Sequence, residues 1–160
     1  MHTTIARPRE EIFAYLSDIA NHPEFTDHYL VDWHLTRVDS VGTGAGARFA
    51  IRVPPPRQRY ANADLTLVEL DAPWKVVLQG RGGKFNRVRL LAVYELQPDH
   101  GGTRVAFTLA TEPKTMADRL LEGFGYRGWF RRKSAKAMRR LRSILEDGEG
   151  RGRRATVAAG

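Results

Sequence analysis

Residue types that can do chemistry are scattered along this 160-residue chain and are not gathered in a recognisable active-site motif. No two of its five histidines have the His-x-x-x-His spacing that places two metal ligands on one helix face. They are His2, His22, His28, His34 and His100. The lack of cysteine excludes disulfides, thiolate metal sites and a cysteine nucleophile, and no serine has a base partner at a readable spacing. We therefore expect solvated or helix-capping histidines, no metal, no cofactor, and a binding protein in preference to an enzyme.

Two glycine-rich segments, at 42–46 and 80–83, have the composition of phosphate-binding loops. Neither stands between a strand pattern and a helix pattern, and neither carries the Lys-Ser or Lys-Thr pair of such a loop. Both lie between strand-like segments, where glycine supplies the positive φ of a tight turn. We interpret both segments as turns.

The net charge of +8 is concentrated in one segment, residues 127–142, which contains eight basic residues and no acidic one. The remainder of the chain balances at 18 basic and 18 acidic residues. The basic residues of the segment are Arg127, Arg131, Arg132, Lys133, Lys136, Arg139, Arg140 and Arg142. Such a segment favours an anionic partner, which would be a membrane, RNA or an acidic protein. The alternative is an ordinary solvated helix face.

The elements that must position these residues follow a simple order. A short strand and a helix opened by Pro8 come first, strand-like alternation then recurs from Tyr29 to Thr111, and a helical pattern begins at Thr115. A sheet of six or seven strands must bury its apolar face against something, and the large candidates are a short helical stretch near the start and the long one at the end. We therefore predict an α+β fold in which a curved antiparallel sheet wraps around the C-terminal helix and encloses a cavity.

The bulk properties fit one domain. We expect it to span residues 1–147, followed by a basic, disordered tail at 148–160 that has no apolar pattern. No stretch approaches the roughly 18 to 20 consecutive apolar residues of a membrane span, and the first residues lack the apolar region of a signal peptide. These features predict a soluble, cytoplasmic protein.

Four segments resemble the START-like superfamily, also called SRPBCC or Bet v 1-like, and within it the bacterial polyketide cyclase/dehydrase-type proteins. They are residues 5–18 (opening strand and helix), 41–49 (a turn), 68–76 (a strand–turn–strand), and 94–96 with 102–108 (the last hairpin). The resemblance implies a helix-grip fold with a seven-stranded sheet, or a six-stranded one if the short first strand is missing. It also implies a deep apolar cavity for lipids, sterols, polyketides or other hydrophobic molecules, and some members are cyclases or aromatases.

The cavity should be lined by the inward faces of the strands and by one stripe of the terminal helix. The predicted lining is Trp33, Leu35, Phe49, Ile51, Leu65, Leu67, Trp74, Val76, Leu78, Gln79, Arg89, Leu91, Val93, Phe107, Phe124, Gly128 and Ala135. Arg48 and Tyr94 are further polar candidates, and the small residues Gly125, Gly128 and Ala135 would leave room for a ligand. The alternative for each position is ordinary core packing, and a one-residue error would reverse every face of a strand.

Three functions are compatible with these features. The favoured one is binding of a hydrophobic or amphipathic small molecule between the sheet and the C-terminal helix. The second is a cyclase, aromatase or dehydrase, which would require polar side chains to converge inside the cavity. The third is a module that docks on the ribosome, RNA or an anionic membrane through the basic helix. The oligomeric state is left open.

Overall fold

The computed structural model describes residues 1–52, 62–83, 88–112 and 127–158. The N-terminal part comprises β1 (His2–Ile5), α1 (Arg9–Leu16), a 3₁₀ turn (Ile19–Asn21) and α2 (His22–Thr26). The remaining elements are β2 (Leu30–Leu35), β3 (Gly46–Ile51), β4 (Asn62–Asp71), β5 (Lys75–Gly82), β6 (Val88–Asp99), β7 (Gly102–Glu112), α3 (Arg127–Asp147) and β8 (Thr156–Val157). The predicted start of the terminal helix at Thr115 lies outside the described residues.

The eight strands of the described residues belong to one sheet, in the order β1-β7-β6-β5-β4-β3-β2-β8. Strands β1 to β7 pair antiparallel with their neighbours, and β8 runs parallel to β2 at the edge. The sheet is curved and is accompanied by the long C-terminal helix and short N-terminal helices. The predicted helix-grip architecture is therefore confirmed, with a two-residue eighth strand added.

Close approach between strands explains one of the two glycine-rich segments. A Cβ atom at Gly80 would lie 1.8 Å from the backbone oxygen of Asp64, so β4 and β5 can approach this closely because residue 80 has no side chain. Gly80 and Gly82 belong to β5 itself, and the positive φ expected of a turn begins at Gly83. The turn predicted at 80–83 was therefore placed too early. The turn at 42–46 has the expected positive φ at Gly42 and Gly44.

Helix α3 packs one stripe of side chains into the core. The buried residues recur at helical spacing and are Ser134, Ala137, Met138, Leu141, Ile144 and Leu145. At its end, the Arg7 guanidinium donates to the carbonyl oxygens of Leu145 (2.7 Å) and Glu146 (2.8 Å), which otherwise have no partner within the helix. No helix in the described ranges combines the length and apolarity needed to cross a bilayer.

The C-terminal tail lies against the corner between α1 and α2. The Ala155 amide donates to the Ala20 carbonyl at 2.8 Å, Arg154 pairs with the Asp18 carboxylate, and β8 extends the sheet beside β2. Ala155 is buried. The tail predicted to be disordered at 148–160 is thus fixed at these points. The contacts come from main-chain atoms and one charge, which leave no apolar pattern in the sequence.

Candidate functional site

The inward face of the sheet is unevenly buried along its length. At the end where a hairpin joins β6 to β7, which we call the closed end, Leu96 and Val105 are fully buried. At the opposite end, the inward residues Ile51, Leu65 and Leu90 pack against the core but remain only partly buried. We call this second region the open end. Partly exposed apolar side chains on a concave surface are a usual feature of sites that bind small hydrophobic molecules.

Small residues lie on the inward face of the sheet beside the open end. Ala63, Gly82 and Ala92 are buried and lie on the same face as the larger Leu65 and Leu90. A Cβ atom at Gly82 would lie 3.2 Å from the Ala63 Cβ and 3.3 Å from Leu90 Cδ1, so the strands are drawn together on this side. Short side chains therefore adjoin the larger Leu65 and Leu90 on the inward face.

Two aromatic pairs cover the middle of the inward face. Trp33 of β2 stacks on Phe49 of β3 with ring centroids 4.4 Å apart, and Tyr94 of β6 lies 4.8 Å from Phe107 of β7. Burial raises the pKa of Tyr94 far above its usual range, and the neighbouring Tyr29 contributes in the same direction. The phenol of Tyr94 is therefore neutral at every physiological pH and can act as a hydrogen-bond donor.

A second phenol, that of Tyr29, connects the start of α3 to this face. Its ring meets Trp129 and Phe130 edge-on at 6.1 and 6.4 Å. Burial raises the pKa of Tyr29 to about 12, although the hydrogen bond with the Ser134 side chain acts in the opposite direction. Tyr29, Ser134 and Tyr94 thus place hydroxyl groups among apolar surroundings.

His22 is the titratable side chain that sequence reasoning misjudged. It was expected to be solvated or to cap a helix, but it is buried on α2 with its ring 6.0 Å from Tyr94 and 5.4 Å from Phe25. Its Nε2 lies 2.9 Å from the Leu16 carbonyl oxygen, which makes Nε2 the protonated nitrogen of the neutral ring. Burial lowers the pKa of His22. Nothing in the sequence around His22 signals this position, because the residues that enclose it come from β2, β6 and α2.

The structure brings nine of the predicted lining residues onto the inward face. The buried ones are Leu35, Phe49, Leu67, Val76, Leu78 and Phe107, and those partly buried against the core are Trp33, Ile51 and Leu65. Their contact with a ligand stays a prediction.

Four predicted lining residues lie on the opposite, convex face. In β6 the core residues are Leu90 and Ala92, so the alternating Leu91 and Val93 point away from the core, and Arg89 is exposed. Gln79 is likewise exposed on the outer face of β5. The prediction for these residues was wrong because residues 90–93 are uninterruptedly apolar and do not reveal which face is inward.

Of the remaining wall residues, Trp74, Gly128, Ala135 and Arg48 lie away from the inward face, and two others are not described. Trp74 is 45% exposed in the turn before β5, where the Arg9 guanidinium stacks over its ring at 3.7 Å. Gly128 is exposed, and a Cβ atom there would meet nothing within 4 Å beyond its own stretch of helix. Ala135 lies outside the buried stripe of α3. Phe124 and Gly125 lie outside the described residues, and Arg48 is exposed.

The basic residues of α3 fall into two groups. Arg127, Arg131, Arg132, Lys136, Arg139 and Arg142 are exposed, whereas Lys133 and Arg140 are partly buried. The Arg140 side chain pairs with the Asp27 carboxylate and donates to the Glu24 carbonyl at 2.9 Å. Arg142 donates to Glu146 at 2.9 Å. Two of the predicted anion-binding residues therefore already have acidic partners within the chain.

A surface groove of about 400 Å³ lies at the closed end. Its lining residues are Ala6, Arg7, Pro8, Arg9, Glu10, Pro98, Gly101, Gly102 and Thr103. It is shallow, and Arg7 is already bonded to the end of α3. We therefore place the candidate site at the open end. Among the described residues, no three His, Asp or Glu side chains gather as a metal site requires.

The curved antiparallel sheet, the C-terminal helix and the aromatic inward face define a helix-grip protein, a fold that binds hydrophobic ligands. The profile of one family, described as polyketide cyclase / dehydrase and lipid transport, matches residues 1–146. The chain belongs to this family, and the resemblance to START-like proteins is confirmed. Comparison with curated proteins gives no match.

Solved structures show the same fold at low sequence identity. The KanY protein is 13% identical with a TM-score of 0.71, and a protein from Thermus thermophilus is 14% identical with a TM-score of 0.68. The ginseng major latex-like protein 151 from Panax ginseng is 11% identical with a TM-score of 0.67. Each alignment covers 91% of this chain and 94% of the other. At these identities the likeness concerns the fold alone.

Proposed function

We propose that this protein binds a hydrophobic or amphipathic small molecule, such as a lipid or a polyketide, on the inward face at the open end. The observation that carries the proposal is the grouping of the partly exposed Ile51, Leu65 and Leu90 at one end of the concave face, whereas Leu96 and Val105 at the other end are fully buried. A ligand that covers apolar surface gains about 25 cal/mol per Å² removed from water. The family description, which includes lipid transport, supports the same class of ligand.

The hydroxyl groups of the inward face narrow the ligand class. Tyr29 and Tyr94 keep their protons, because burial raises the pKa of both phenols. Neutral phenols packed against aromatic rings, Phe107 beside Tyr94 and Phe130 beside Tyr29, suit a mainly apolar molecule with an oxygen acceptor, such as a carbonyl or carboxyl group. The proposed ligand is therefore amphipathic in preference to a pure hydrocarbon.

Native mass spectrometry of the protein purified from its own host tests this proposal. We expect an adduct of one small organic molecule that is released on denaturation, and the same protein, once stripped of it, should bind the neutral hydrophobic dye Nile red. A preparation that carries no adduct and binds no dye would contradict the proposal.

An enzyme of the cyclase or dehydrase type is the second candidate, because polar side chains do converge on the inward face. His22 lies against Tyr94, and Tyr94 lies near Tyr29. Tyr94→Phe removes one hydroxyl and preserves the ring, so it separates the two functions. In an enzyme the variant should bind the host-derived molecule but convert it much more slowly, whereas in a carrier it should change affinity alone.

A further inference from the structure

We infer that the outward face of α3 docks on the anionic headgroup plane of a lipid bilayer. The inference rests on the proposed function, because a bilayer is where a hydrophobic ligand is collected or delivered. The docking face is formed by Arg131, Arg132, Lys136 and Arg139, together with the small residues Gly128 and Ala135 on the same side of the helix.

The cations of this face have no partner within the described part of the chain. Arg131, Arg132, Lys136 and Arg139 are exposed, and none makes an ion pair or hydrogen bond with another described residue. Arg140, on another side of the same helix, is bound by Asp27. The charge of the docking face is thus available to an external anion.

The docking face is broad and roughly flat. Successive residues of a helix are about 100° apart, so Arg131 and Lys136 bound an arc of about 140° that lies opposite the buried stripe through Leu141. With a rise of about 1.5 Å per residue, the segment from Arg131 to Arg139 extends over about 12 Å. The small residues Gly128 and Ala135 also fall within this arc. A wide, low face fits a plane of headgroups better than a groove.

The side chains around the face favour a bilayer over a nucleic acid. Among the described residues, α3 has no exposed large apolar or aromatic side chain on which a base would stack. Trp129, at the start of α3, is partly buried with the Lys133 ammonium 5.7 Å from its ring centre. Because Trp129 packs against the core, its ring is not part of the docking face. The attraction is mainly electrostatic and therefore reversible, as loading and release of a ligand require.

Sedimentation with vesicles tests the inference and needs no ligand. The full chain is mixed with vesicles of phosphatidylcholine alone or of phosphatidylcholine with phosphatidylserine. The test variant is Arg131→Gln/Arg132→Gln/Arg139→Gln. The matched control is Arg37→Gln/Arg81→Gln/Arg104→Gln, which removes the same charge from exposed positions elsewhere.

Binding should require phosphatidylserine and weaken as salt is raised. At about 1 kcal/mol per basic residue near the surface, the test variant should bind roughly a hundredfold more weakly, and the control should stay close to wild type. Equal weakening of both variants, no binding to anionic vesicles, or tighter binding to an RNA oligonucleotide than to the vesicles would overturn the inference. The test variant should still bind Nile red, because its inward face is unchanged. Loss of vesicle binding with Nile red binding retained therefore separates failure of docking from failure of the proposed function.

Discussion

The ring of His22 meets the ring of Tyr94 at 88°, with centroids 6.0 Å apart, and both side chains are buried. This contact joins α2 to the centre of the sheet. It also places a nitrogen base beside a phenol on the inward face. The protonation state of His22 therefore affects both the stability of the fold and the chemistry available to a bound molecule.

The free energy of unfolding should decrease as the pH is lowered, because buried His22 resists protonation. Its pKa in the folded chain is lowered by burial from the ordinary value of 6.5, so the unfolded chain takes up the proton first. The contribution of His22 is fully present above about pH 6.5 and is lost as pH falls through its folded pKa. Urea unfolding of wild type between about pH 7.5 and 5 should show this loss, and His22→Gln should have a flatter dependence.

His28→Gln is the control for this prediction. The pKa of His28 is lowered for the same first reason, burial, but its side chain is only partly buried and its Nε2 contacts the Lys133 carbonyl at 3.1 Å. His28→Gln should flatten the pH dependence of the unfolding free energy less than His22→Gln does. If the unfolding free energies of wild type and His22→Gln change equally with pH, His22 does not control stability in acid.

The buried Glu24 carboxylate depends on Tyr15. The Tyr15 hydroxyl donates to Glu24 Oε2 at 2.6 Å, and both side chains are buried. Tyr15→Phe should lower the free energy of unfolding by about 1.5 to 3 kcal/mol, because a charged acceptor loses its donor. Glu24→Gln, which keeps an acceptor for the hydroxyl, should cost less. A loss below about 0.5 kcal/mol for Tyr15→Phe, measured by urea unfolding, would contradict this role.

Two glycines should respond in opposite ways to alanine. Gly80→Ala should destabilise by more than about 2 kcal/mol, because its Cβ would meet the backbone of Asp64. Gly128→Ala should stabilise by about 0.5 to 1 kcal/mol, because a Cβ at this position in α3 has open space around it. Thermal unfolding of both variants measures the difference. Destabilisation by Gly128→Ala would place that residue in a packed or ligand-filled region.

The order of elements was predictable because each strand is bounded by turn residues and the terminal helix has a clear apolar period. The faces of the strands were less predictable. Residues 90–93 are apolar without a break, so alternation does not identify Leu90 and Ala92 as the inward pair. Which face of β6 points inward depends on how the neighbouring strands and helices cover it, and that is a property of the whole fold.

The small residues that lie on the inward face belong to the sheet, where the sequence pattern did not predict them. Gly128 and Ala135 were expected to leave room for a ligand under the helix. The small residues found on the inward face are instead Ala63, Gly82 and Ala92 of the sheet. A glycine in the sequence shows that a side chain is absent but not which surface it faces. The burial of His22 escaped prediction for a related reason, since its partners are distant in sequence.

The central claim is that a hydrophobic molecule binds the inward face at the open end, and the neighbours Leu90 and Leu91 of β6 test it most directly. Both are partly buried leucines on opposite faces of one strand. Nile red titration of the ligand-stripped protein should give at least a tenfold weaker affinity for Leu90→Trp, about 1.4 kcal/mol, because indole fills the open end. Leu91→Trp should bind as wild type does. Equal affinities for the two variants, or weakening by Leu91→Trp alone, would contradict the account.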